Sequence, residues 1–154
     1  MEDGGPEAPA KSARQVGRPK ALRWTISAVA LAAVGGAAFV FIVHPYLQLR
    51  QAKHDVDVLA LSLEGYATEH DGAYPQGKPA EIARLLLGQS VGDQNPQKLD
   101  YIETEAHEIN AAGELIDPWG TPYRILFTPS ARVYSCGPNR VDEQGNGDDI
   151  TSWK

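Results

Sequence analysis

One cysteine, Cys136, is all that this sequence offers toward a disulfide, so no cross-link can form within the chain. An extracytoplasmic domain would have to be held by its core or by a metal. The four histidines, His44, His54, His70 and His107, show no paired metal spacing such as H-x-x-x-H. There is no phosphate-binding loop and no dinucleotide fingerprint. Ser135 lies in SCG rather than in a G-x-S-x-G elbow, so hydrolase chemistry has no motif to stand on. An enzyme is not expected. Lysine and arginine together number 14 against 20 aspartates and glutamates, a net charge of −6. That balance argues against nucleic acid as a main partner.

Charge of either sign is missing altogether from Trp24 to Val43, WTISAVALAAVGGAAFVFIV. As a helix, twenty residues span roughly 30 Å, the thickness of a bilayer core. A transmembrane helix over residues 23–44 is the expectation, with the lipid bilayer as a partner. A buried core helix is one alternative. The other is a cleaved secretory signal, with Ala37-Ala38 as its small-residue site. Residues 1–22 form a basic tail, expected to be disordered and cytoplasmic, carrying Lys11, Arg14, Arg18 and Lys20. The positive-inside rule then places a single-pass protein in a bacterial inner membrane, with its acidic C-terminal domain in the periplasm.

Past Pro45 the pattern changes. Leu49, Ala52, Val56, Leu59, Leu63 and Tyr66 recur at steps of three and four, which predicts an amphipathic helix over 45–71. Arg50, Lys53, Asp57 and Glu64 mark its polar side. Asp71-Gly72 ends it, and residues 72–154 make a small extracytoplasmic α+β domain. A short helix starts near Pro79, buries Ile82, Leu85 and Leu86, and stops at Gly88. Residues 89–98 are loop, 99–103 a short strand, and 111–114 a turn. Tyr123–Thr128 and Arg132–Cys136 form an antiparallel hairpin. Trp119, in DPWG, is expected in the core.

The chain closes on SCGPNRVDEQGNGDDITSWK, rich in carboxylates, amides and glycine. A hard cation such as calcium takes six to eight oxygens from such groups. Asn139, Asp142, Asn146, Asp148 and Asp149 are the candidate metal ligands, with Asp148 and Asp149 favoured. An EF-hand is rejected, because its twelfth position, counted from Asp142, is Trp153 instead of glutamate. A solvated tail is the plain alternative. Against it, Ile150 and Trp153 can staple the end to the core.

Three segments in this order resemble the major pseudopilin of type II secretion systems and its relatives. They are EHDGAYPQGKPAEIARLL (69–86), DPWGTPYRI (117–125) and YSCGPNRVDEQGNGDDITSW (134–153). The likeness covers most of residues 24–153, and DPWG-x-PY is its most specific element. It implies a pilin-like fold, long N-terminal helix first, and a calcium ion held by the C-terminal loop. It also implies a structural role in a type II secretion or type IV pilus-like machine, with other pseudopilin subunits or secretion-system proteins as partners. The family's prepilin-peptidase site and Phe-Thr-Leu-x-Glu opening are not matched. The corresponding stretch reads GRPKALRWTISAVAL, with no acidic residue entering the apolar run. That departure keeps an alternative open: a membrane-anchored, calcium-dependent binding module that forms no filament.

Overall fold

The computed structural model describes residues 33–37, 39–103 and 109–154. The chain divides into two units, Met1–Val40 and Phe41–Lys154. In the first, residues 33–37 are helical and exposed. A π-helical turn, Phe39–Val43, precedes α1, His44–Glu69. Pro45 sits in the first turn of α1. It has no amide to give to the carbonyl four residues back, and the turn before it widens.

The expected membrane segment is corrected here. Among the described residues no helix is long and apolar enough to cross a membrane. The apolar pieces 33–37 and Phe39–Val43 are five residues each, about 7.5 Å of helix apiece. α1 then brings in Arg50, Lys53, Asp55, Asp57, Glu64 and Glu69, which no bilayer core would accept without cost. A pilin-like fold with a membrane-spanning first half is therefore overturned, and so is the single-pass inner-membrane placement. Residues 1–32 and Ala38, which hold the basic tail and half of the apolar run, lie outside the described residues.

The second unit is α+β. α1 buries Ala52, Val56, Leu59, Leu63, Tyr66 and Ala67 along one stripe. Leu49 was expected in that stripe but is exposed. His70 ends the helix by donating its amide to Ala67, and its ring stacks flat on Tyr66 at 3.9 Å. The short helix α2, Pro79–Leu86, buries Ile82, Ala83, Leu85 and Leu86. Its first turn is closed by Glu81, whose carboxylate accepts the amide of Lys78 at 2.7 Å. At its other end Gly88 donates to Leu85.

The sheet has three antiparallel strands in the order β1-β2-β3: Arg124–Phe127, Ala131–Ser135 and Ile150–Thr151. β1 and β2 are the expected hairpin, with Ile125 opposite Val133 and Leu126 opposite Arg132. β3 is the C-terminal chain returning, with Thr151 opposite Tyr134. The expected strand at 99–103 is absent. Asp100 makes only an isolated bridge to Leu87, while the amides of Tyr101 and Ile102 both donate to Leu86.

The core lies where α1 crosses β2. Val56, Leu59 and Leu63 meet Ile82, Ala83 and Leu86 from α2, Ala131 and Val133 from β2, and Ile102, Leu115 and Tyr123 from connecting segments. Each leucine so buried contributes roughly 1.5–3 kcal/mol.

Candidate metal centre

Asp117 opens the route to the C-terminal loop. It is 3% exposed, a burial that a carboxylate tolerates only with partners. One oxygen accepts the amides of Trp119 at 3.0 Å and Thr121 at 2.8 Å, which fixes the DPWG turn. The other accepts the hydroxyl of Ser135, at the end of β2, at 2.6 Å. Ser135 Oγ in turn accepts the amide of Gly137 at 3.0 Å. One buried carboxylate thus ties DPWG to the first glycine of the loop. Gly137 has φ +67°, and a Cβ there would lie 2.4 Å from the Asp148 carbonyl oxygen. The loop therefore closes against its own start only over a glycine. Trp119, by contrast, is half-buried beside an open groove with His44, Gln48 and Gln51, and not in the core.

Inside the loop, carboxylate oxygens of Glu143, Asp148 and Asp149 lie within 4.8 Å of one another. Backbone amides hold each in place. Asp149 Oδ2 accepts Gly145 at 2.7 Å and Glu143 at 3.2 Å. Asp148 Oδ2 accepts Asn139 at 3.1 Å. Glu143 Oε2 accepts Asp148 at 3.0 Å. Gly147 makes the approach of Glu143 feasible. Its φ is +54°, and a Cβ would fall 1.8 Å from Glu143 Oε2.

The expected ligands divide. Asp148 and Asp149 join the cluster, and Glu143 completes it in place of Asp142. Asp142 faces the sheet: it accepts the Tyr134 hydroxyl at 2.9 Å and pairs with Arg124 at 3.2 Å. The Tyr134 hydroxyl, with help from the Gln144 amide and Arg124, holds the Asp142 carboxyl below its ordinary range despite partial desolvation. Burial, then the carboxylate beside it, pushes Tyr134 up to about 12. Asn139 spends its carbonyl oxygen on the Val141 amide at 2.6 Å, and its side-chain NH2 leans toward Glu143. Asn146 donates to the Glu143 carbonyl. Both asparagines brace the loop. The signal for Glu143 was its place in E-Q-G-N-G-D-D, where two glycines let the chain double back onto it.

A hard cation fits this donor set. All three side chains offer anionic oxygen, and Asp149 Oδ1 is a buried oxygen with no hydrogen-bond partner. Neither ion pair among the described residues, Lys53–Asp57 or Arg124–Asp142, reaches the three carboxylates. Lys154 Nζ donates nearby to the Gly145 carbonyl. The end of the chain is stapled as expected. The Trp153 ring meets Tyr134 edge-on at 6.0 Å, and Arg132 lies over it at 5.5 Å.

Compared with protein-family models, with curated proteins and with solved structures, the chain matches none.

Proposed function

We propose that this chain is a pseudopilin-like structural subunit of a type II secretion or type IV pilus-like machine, in which calcium closes the C-terminal loop. Glu143, Asp148 and Asp149 would hold the ion, and the ion would neutralise carboxylates that otherwise repel one another. One observation carries the reading. Asp117 of the DPWG element reaches through Ser135 to Gly137, the first glycine of the carboxylate loop. Two of the three family-like segments are therefore one hydrogen-bonded unit, which accidental resemblance gives no reason to expect. A second feature agrees with a role in assembly: Leu47, Val58 and Leu61 stand exposed on α1 while the opposite stripe is buried.

Thermal unfolding of the full chain tests the calcium part. A ligand at about a hundred times its Kd adds about 2.7 kcal/mol, which raises Tm by several degrees. The expected result is that gain in calcium over chelator, and its loss when Asp148 and Asp149 are both changed to alanine. Equal melting in calcium and in chelator would remove the ion from the proposal. Cross-linking through cysteines introduced along α1 tests assembly. Multimers or secretion-machine proteins are expected, and a strict monomer in cells would overturn that part.

A further inference from the structure

We draw no further inference here: the strongest candidate, the open groove where the first turns of α1 meet the Asp117–Gly120 turn beside Trp119, carries nothing because nothing in the structure shows what would cover it.

Discussion

The two oxygens of Asp149 have different surroundings: Oδ2 accepts two amides, while Oδ1 is buried with none. Asp149→Asn should keep part of the amide pattern but remove the charge, so most of the calcium-dependent gain in Tm should vanish. Gly147→Ala tests the same loop from the backbone. The added Cβ would push the Glu143 carboxylate from its place, and the positive φ strains any residue with a Cβ, so about 1–2 kcal/mol of stability should be lost. The calcium response should fall with it. If Gly147→Ala responds to calcium as the natural chain does, Glu143 is not a ligand. Asp148 and Asp149 were legible in the sequence because adjacent aspartates between glycine and an apolar anchor already suggest a folded loop. Glu143 was not. The candidates were drawn from the aspartates and asparagines of the loop by residue type, whereas the structure turns Asp142 toward Arg124 and Tyr134 on the sheet. A pairing across that distance in the chain leaves no local pattern.

Glu64 carries a pH dependence. Its carboxylate accepts the Tyr74 hydroxyl at 2.6 Å and the Ala131 amide at 2.9 Å. Those bonds, Tyr74 first, set its pKa below the ordinary value of 4.5. A depressed folded pKa means the contribution is complete above the unfolded value and is lost as pH falls through the folded one. Glu64→Gln should therefore flatten the decline of Tm as pH falls below the ordinary value of 4.5. An unchanged slope would show that the clamp does not titrate with folding.

At the scale of elements, α1 offers two leucines two residues apart with opposite fates. Leu63 is fully buried, whereas Leu61 is 74% exposed. Leu63→Ala should cost about 2–5 kcal/mol in denaturant unfolding with an unchanged m-value. Leu61→Ala should stay within about 0.5 kcal/mol, yet reduce cross-linked multimers if α1 packs on another subunit. Normal multimers from Leu61→Ala would move the contact to another face. Both helices and the hairpin could be read from the sequence, because each repeats its apolar residues at the period of its own geometry. β3 could not, since two residues have no period and their strand exists only because β2 offers an edge. Leu99–Glu103 erred in the other direction. Its residues suit a strand, but its backbone goes elsewhere: the Tyr101 and Ile102 amides both donate to the Leu86 carbonyl at the end of α2, the Leu99 amide donates to Asn95 Oδ1, and the Tyr101 carbonyl accepts the Ser62 hydroxyl. Leu49 was misplaced because the stripe runs on in sequence past the point where the domain stops covering it.

On the scale of the second unit, Phe41–Lys154, the sheet and α1 close over each other late in the chain. β2, the central strand, is paired on one side by the hairpin and on the other by the returning terminus. That return is secured three ways. Ser152 exchanges hydrogen bonds with Val133, Lys53 donates to the Thr151 carbonyl across 98 residues, and Trp153 rests on Tyr134. Removal of residues 150–154 should leave β2 with an open edge and cost several kcal/mol, seen as a lower denaturation midpoint. The whole chain was hardest to read at its other end. An uncharged run of twenty residues is the usual mark of a membrane helix, yet the described part of it leads directly into a charged, amphipathic one.

The bond from Lys53 to Thr151 has a consequence for synthesis. α1 leaves the ribosome with its apolar stripe complete well before β3, which completes the sheet packed against it, is made. Until then the stripe and the edge of β2 stay open to other chains. Nascent copies on one messenger are therefore most prone to stick to each other in the interval between α1 and β3, and a chaperone would act there.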